Sequence, residues 1–128
     1  MRGDDLYLVD IIEAGEAIKR MVKDVPVERF VADEVLVSAV EMKLVIIAEA
    51  LGSLSDQSRS SLTDVPVREV RALRNRIVHG YFSVDEGLIY DVASGDVPSL
   101  VSQAEESLQR DFPVTFQRLQ ELRTARAG

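Results

Sequence analysis

The stretch RNRIVHGYF, residues 74–82, contains the only histidine of the 128-residue chain. Arg74 precedes His79 by five residues, Asn75 lies beside the arginine, and Tyr81 follows two residues after the histidine. An arginine guanidinium binds phosphate through a bidentate fork, and a histidine exchanges protons near neutral pH. These residue types therefore predict an anion site for phosphate chemistry if their side chains converge.

A single regular helix does not bring these side chains together. Apolar spacing predicts a helix from about Pro66 to His79, which Gly80 ends. On that helix the side chains of Arg74 and His79 point about 140° apart. They would meet if the helix unwound at Gly80, or if a second copy of the helix supplied the missing groups across a twofold axis. Metal-free RNA cleavage by the 2′-hydroxyl benefits from one group that takes a proton and another that gives one. With one histidine per chain, the second arrangement is favoured.

A purely structural explanation also exists for each of these residues. Arg74 borders the apolar side of its helix, so its methylene groups could cover the core while the guanidinium reaches water or an acid such as Glu49. His79 would then be an exposed residue near a helix C-terminus. Glu49 lies in the apolar run VIIAEAL, where a carboxylate is costly unless it is paired, so it either pairs with Arg74 or faces solvent.

The charge of the chain is unevenly distributed. Fifteen basic and 22 acidic residues give a net charge of -7, which argues against nonspecific binding of nucleic acid through the overall field. Between Pro66 and Tyr81, however, four arginines including Arg71 stand against one acid, so this segment carries +3 and the remainder -10. We therefore expect local attraction of an anion, with Arg71 in a supporting position.

The elements that must position these residues are predicted to be helices. Helical spacing is found over about residues 4–23 and 33–54, and Asp33 can cap the second helix. The serine-rich segment 53–64 predicts a mobile loop, and residues 82–98 predict irregular structure with a short extended or helical piece near 88–92. A last helical run starts near Pro98, and Pro113 is expected to kink or break it.

These patterns predict an all-α fold. We expect one domain over residues 1–128, an up-and-down bundle of four or five helices with a C-terminal helical extension over 113–128. The second predicted helix has apolar residues on several sides, which is typical of a helix at the centre of a bundle or shared with another subunit.

The sequence lacks the residues and motifs of several classes of functional site. The chain has no cysteine, which removes thiol nucleophiles, thiolate metal sites and disulfides, and agrees with a cytoplasmic location. No glycine-rich phosphate loop or nucleophile elbow is present, and a single histidine with scattered loop acids predicts no metal. No apolar run approaches a membrane span, and the acidic N-terminus does not resemble a secretory signal. We expect no cofactor.

With these residues in view, the chain resembles the HEPN superfamily, in particular the HepT-like toxins of toxin–antitoxin pairs. Arg74, His79 and Tyr81 match an Arg-x4-His-x-Tyr signature, with Asn75 beside the arginine. The context is similar as well: DIIEAGEAI, then VEMKLVIIAEA, VP before the motif helix, HGYFSVD after the histidine, and DVPSL at the start of the last helix. The similarity spans about residues 6–110.

The resemblance implies a function. It implies a homodimeric, metal-independent endoribonuclease in which Arg74 and His79 form the catalytic pair, with Asn75 beside them. In such proteins the partner is a small nucleotidyltransferase antitoxin, which attaches adenylate to the motif tyrosine, here Tyr81. The chain departs from the family pattern in having VPV where proline is often followed by an aromatic residue, and in its longer tail after Phe112. A different class of function stays open, that of a catalytically idle helical dimer that binds nucleotide or serves as an adaptor for a nucleotidyltransferase.

Overall fold

The computed structural model describes residues 2–80 and 84–127, apart from the side chains of residues 64 and 65. Helices dominate this part of the chain, and it contains no strand, which confirms the all-α prediction. A π-helical turn, Val92–Asp96, joins two of the α-helices. The α-helices are α1 (Asp4–Val22), α2 (Val27–Val31), α3 (Glu34–Ser53), α4 (Asp56–Ser60), α5 (Asp64–His79), α6 (Glu86–Asp91), α7 (Val97–Asp111) and α8 (Pro113–Ala127).

Four long helices form the bundle. α1 packs against α3 and α7, and α5 packs against the same two helices, so α1 and α5 lie at opposite corners. α3 therefore has to present apolar residues to two neighbours, which explains its wide apolar surface. Its side chains at the centre of the core are fully buried: Val40, Leu44, Ile47 and Leu51.

Gly15 sets the closest approach of α1 to α7. It is buried, and a Cβ added to it would overlap the side chain of Val101 and lie 3.4 Å from that of Val97. The absence of a side chain therefore lets the two helices approach more closely than any other residue would allow.

The predicted helix ends are largely confirmed. The carboxylate of Asp33 accepts a hydrogen bond of 3.0 Å from the backbone N–H of Leu36 and caps α3. α5 ends at His79, and the N–H of Gly80 donates to the carbonyl of Arg76 at 2.8 Å. Phe112 leaves the helical region, with φ -137° and ψ 62°, so α7 and α8 are separate helices as Pro113 predicts.

The segment 53–64 contains a helix that the sequence pattern did not predict. Ser55 caps α4, and the Asp4 carboxylate at the start of α1 accepts hydrogen bonds from the Ser55 hydroxyl (2.5 Å) and from the Ser58 hydroxyl (2.7 Å). Five serines without apolar periodicity gave no sign of this helix, because its contacts are polar and come from a segment about 50 residues away in the chain.

The region expected to be irregular after residue 82 is helical from Glu86 onwards. The carboxylate of Asp85 caps α6 by accepting from the N–H groups of Gly87 (2.8 Å) and Leu88 (3.3 Å). The helix then continues through the π turn into α7. Pro98 lacks an N–H and crowds the turn before it, and the wider π turn makes room for its ring without ending the helix. The short helical piece expected near 88–92 is present as α6, while the irregular structure expected over 92–98 is wrong for this reason.

Candidate active site

The core side of α5 is the one predicted from the sequence. Val70 and Leu73 are buried at 0% and 2% exposure, and Ile77 is half-buried against the same core. These residues lock the rotation of α5 about its axis. The orientation of every polar side chain on the helix follows from that rotation.

Arg74 forms a short contact with Glu49 of α3. Its Nε and Nη2 atoms both donate to Oε1 of Glu49, at 2.9 Å and 2.6 Å. The arginine side chain is 28% exposed and the glutamate 59% exposed, so the pair lies at the surface between α3 and α5. Of the two alternatives for Glu49, the structure has the paired one.

Asn75 belongs to the same contact. Its Oδ1 atom accepts a hydrogen bond of 3.2 Å from Nη1 of Arg74. The guanidinium thus has a partner on each of its three nitrogens. On a regular helix Asn75 shares a face with His79, four residues later, rather than with Arg74. Its carbonyl oxygen nevertheless reaches Arg74, because the arginine side chain is long.

These residues line a cleft between α3 and α5. Its volume is about 180 Å³. Gly52, one turn after Glu49, leaves open space where a side chain would stand, since no atom lies within 4 Å of an added Cβ. Gly52 was not singled out in the sequence, and only its position three residues after Glu49 could have indicated it. The lining residues are Ala48, Glu49, Gly52, Arg71, Arg74 and Asn75.

His79 stands apart from this cleft. It is the last residue of α5, its side chain is exposed, and it does not line the cleft. α5 stays helical up to His79, so there is no unwinding before Gly80 that would bring the imidazole to the guanidinium. In one chain, therefore, the structure brings together Arg74, Asn75, Glu49 and Arg71 but not His79. The prediction for Tyr81 lies outside the described residues.

Carboxylates border α5 on the side of α7. Partial burial raises the pKa of Asp96, and the nearby charge of Glu69 on α5 raises it further. Near the middle of α3, burial and the charge of Glu86 raise the pKa of Glu41 in the same way. The positive charge of α5 therefore has negative neighbours.

The described residues lack two further features, a metal site and a membrane-spanning helix. They contain no group of three or more histidine, aspartate and glutamate side chains arranged to hold a metal ion. No helix over these residues combines the length and apolarity needed to cross a bilayer.

Comparison with known proteins identifies the family. Residues 11–107 match the family model "Ribonuclease HepT-like", which leaves α8 beyond the match. A protein of Caldanaerobacter subterraneus named "Putative RNase" is 33% identical over 105 residues, which cover 82% of this chain and 94% of that protein. The "Probable ribonuclease HepT" of Thermococcus cleftensis is 32% identical over 100 residues, 78% of this chain and 91% of that protein. No solved structure matches the chain. With a cleft that holds an arginine of the expected signature and a family model that covers most of its length, the chain belongs to the HepT-like ribonuclease family of the HEPN superfamily.

Proposed function

We propose that this protein is a metal-independent endoribonuclease that acts as the toxin of a HEPN/MNT toxin–antitoxin pair, with Arg74, His79 and Asn75 as its catalytic residues. The observation that carries the proposal is the cleft in which Arg74 is held by Glu49 and Asn75 on a helix that ends at the only histidine. Membership of a ribonuclease family supports the reaction class.

The contacts of Arg74 suit it to bind a phosphate. A guanidinium has five N–H groups, and Glu49 and Asn75 take three of them, those on Nε, Nη2 and Nη1. One N–H remains on each of Nη1 and Nη2. Glu49 lies on the Nε and Nη2 side of the guanidinium and so does not cover the edge formed by Nη1 and Nη2, the kind of edge that matches two oxygens of a phosphate. Glu49 thus supports Arg74 by fixing its orientation, and Arg71 adds positive charge at the same cleft.

The reaction would proceed by attack of the 2′-hydroxyl on the adjacent phosphorus. The imidazole of His79 takes the 2′-hydroxyl proton while the new P–O bond forms, or gives a proton to the departing 5′-oxygen as the old P–O bond breaks, and a water molecule carries the other proton. Arg74 stabilises the charge on the pentacoordinate phosphate, and Asn75 holds either the arginine or the substrate. The products are a 2′,3′-cyclic phosphate and a free 5′-hydroxyl.

This mechanism needs a second subunit, because one chain has one histidine and holds it apart from Arg74. An exposed apolar line on α3 supports a homodimer that covers the site. Val35 and Met42 are 81% and 61% exposed, and they precede Glu49 at intervals of seven residues, which places all three on one side of α3. Val78, 45% exposed, lies on the neighbouring α5. A second copy that buries these residues would bring its own α5 to the cleft.

An antitoxin partner is also part of the proposed function. A nucleotidyltransferase antitoxin would transfer adenylate to the hydroxyl of Tyr81, and the added bulk and negative charge next to His79 would exclude RNA from the cleft. Both proteins would act in the cytoplasm. Inhibition of growth by the cloned gene, relieved by an adjacent nucleotidyltransferase gene, tests this part of the proposal.

One observation favours the second candidate function, a non-catalytic dimer that serves as an adaptor or binds nucleotide. In the single chain the catalytic pair is apart, and Arg74 already has an acidic partner. An adaptor would keep the bundle and the basic helix and would cleave no RNA.

Cleavage by purified protein separates the two candidates. In the presence of EDTA, the wild-type protein is expected to cleave single-stranded RNA. Arg74→Ala is expected to lower kcat by about 100- to 1,000-fold and His79→Ala by about 100- to 10,000-fold, because they remove charge stabilisation and proton transfer respectively. Arg118→Ala on α8 removes an exposed arginine outside the cleft and is the control. If both site variants cleave as fast as the control, the assignment is wrong.

A further inference from the structure

The exposed face of α5 carries a line of polar groups that extends beyond the cleft. Arg68, Arg71, Asn75 and His79 follow one another at spacings of three, four and four residues, which places them on one face of a helix. All four side chains are exposed. At a rise of 1.5 Å per residue, the line from Arg68 to His79 is about 16 Å long. We refer to these four residues as the α5 line.

In the single chain, the two arginines at the start of the α5 line are available to an external anion. Within the described residues neither Arg68 nor Arg71 forms an ion pair, although acidic residues outnumber basic ones by 22 to 15 over the whole chain. Five other arginines do bind a carboxylate: Arg2, Arg74, Arg110, Arg123 and Arg126. Free guanidinium groups in so acidic a protein leave a positive strip along α5, with Arg76, also without an ion pair in the described residues, at its edge.

Carboxylates lie on both sides of this strip. Glu49 lies on the side of α3, where it lines the cleft together with Arg71. Glu69 lies on the side of α7, where its charge acts on Asp96. A ligand that follows the strip therefore has to be narrow, because phosphates placed to either side would meet these acids.

We propose that the α5 line is a track for the backbone of single-stranded RNA, in which Arg71 and Arg68 bind successive phosphates on one side of the scissile phosphodiester. This inference rests on the proposed ribonuclease function and adds a substrate class and a second binding region to it. Stacked nucleotides place their phosphates about 3.4 Å apart along the axis and extended ones place them farther apart, so about 16 Å accommodates roughly two to five phosphates. A duplex would bring the phosphates of its second strand against the flanking carboxylates.

The test compares a dinucleotide with an octanucleotide that contains the same scissile step at its centre. The wild-type protein is expected to prefer the octanucleotide. Arg68→Ala is expected to raise the KM for the octanucleotide about three- to tenfold and to reduce its advantage over the dinucleotide by a similar factor, since a lost phosphate contact weakens binding without a role in proton transfer. Catalytic residues would instead change kcat for both substrates.

Binding without cleavage gives an independent measurement. The octanucleotide with a 2′-O-methyl group at the scissile step is titrated by fluorescence anisotropy at several salt concentrations. The plot of log K against log salt concentration is expected to be shallower for Arg68→Ala by about 0.7, the contribution of one phosphate contact in a single strand. The same change is expected for Arg71→Ala.

Two variants with the same loss of charge serve as controls. Arg76 lies on α5 about 80° around the axis from Arg68, and Arg118 lies on α8. Both are exposed, and neither has an ion pair in the part of the chain that the structure describes. Arg76→Ala and Arg118→Ala are expected to keep the wild-type preference for length and the wild-type salt slope.

The outcomes test RNA binding along α5 separately from the proposed ribonuclease activity. If the wild-type protein cleaves RNA but Arg68→Ala behaves like the two controls in KM and in salt slope, the track is wrong and the nuclease stands. Cleavage of duplex RNA as fast as of the single strand also overturns the track. If no RNA of any length is cleaved, the proposed function fails, and the anisotropy slopes still decide whether α5 binds single-stranded RNA.

Discussion

Glu49 is a carboxylate beside Arg74, the arginine that we propose binds a phosphate. A free carboxylate there would compete with phosphate for Arg74. However, only one oxygen of Glu49, Oε1, makes the contact, with Nε and Nη2 of the guanidinium. Glu49 therefore does not cover the edge formed by Nη1 and Nη2. The physical role of Glu49 is then to select one rotamer of a long side chain that would otherwise sample many.

Substitutions of Glu49 distinguish two possible effects of this residue: orientation of the Arg74 side chain, and competition with phosphate for it. Glu49→Ala is expected to lower kcat/KM for RNA by about tenfold or more, because Arg74 loses its anchor. Glu49→Gln retains an oxygen that accepts the same hydrogen bonds and is expected to keep most of the activity. The free energy of unfolding is expected to change by less than about 1 kcal/mol in both variants, since the pair is exposed. An alanine variant that cleaves faster than wild type would mean that Glu49 inhibits.

One carboxylate connects the N-terminus of α1 to α4 through hydrogen bonds. Asp4 accepts hydrogen bonds from the N–H and hydroxyl groups of Ser55 and from the hydroxyl of Ser58. Asp4→Asn is expected to lower the free energy of unfolding at pH 7 by about 1 kcal/mol, the usual contribution of such bonds. Urea unfolding of Asp4→Asn, Ser55→Ala and the double variant measures the coupling, and additive effects would contradict the contact.

The same carboxylate makes stability depend on pH. Hydrogen bonds from the Ser55 side chain, and then from its backbone, lower the pKa of Asp4 below the usual value. Because the folded state holds the proton less tightly, the stabilisation is complete above the ordinary carboxyl range and disappears as the pH falls through the lowered pKa. The stability difference between wild type and Asp4→Asn is therefore expected to shrink on acidification below about pH 4.

Alanine substitutions at two glycines on neighbouring helices are expected to have opposite effects on stability. Gly15→Ala on α1 adds a methyl group that overlaps Val101 of α7 and is expected to destabilise the fold by about 1–3 kcal/mol, despite the better helix propensity of alanine. Gly52→Ala on α3 meets no atom within 4 Å and is expected to stabilise the fold by up to about 1 kcal/mol. Thermal unfolding of both variants measures the contrast. A neutral Gly15→Ala would mean that the two helices can move apart.

At the level of elements, the sequence predicts those helices that bury an apolar face. α1, α3, α5 and α7 were found from spacing, and their ends from Asp33, Gly80 and Pro113. α4 was missed because polar contacts with Asp4 hold it. A helical piece was one of the two alternatives near 88–92, where α6 lies, but its continuation over 92–98 was missed because glycine and proline in VASGDVP normally end a helix, and a π turn accommodates them here.

For the molecule as a whole, the same reasoning explains what could be predicted of the site. The partners of Arg74 could be anticipated: Glu49 was a candidate from its place in an apolar run, and Asn75 is the next residue. The meeting of Arg74 with an imidazole could not be derived, because the rotation of α5 is set by its buried side and sends His79 elsewhere. In the proposed mechanism that meeting depends on an interface between two chains.

A mixture of inactive variants tests that interface directly. If the guanidinium of one subunit works with the imidazole of the other, a heterodimer of Arg74→Ala with His79→Ala keeps one complete pair. Random exchange of subunits makes about half of the dimers mixed, and each mixed dimer has one of two sites intact. The mixture is therefore expected to recover about a quarter of wild-type activity, far above either variant alone.

The exchange is measured as RNA cleavage after the two purified variants are unfolded and refolded together, with each variant refolded alone as the control. The variants carry different tags, so that mixed dimers can be isolated and assayed without the homodimers. Isolated mixed dimers that are as inactive as the parents would show that both arginines and both histidines are needed in one cleft, or that each site lies within one chain. A second variant set decides between these: charged substitutions at the exposed α3 residues, Val35→Glu and Met42→Glu, are expected to yield folded monomers without cleavage. A monomer that still cleaves RNA would place the whole reaction within one subunit.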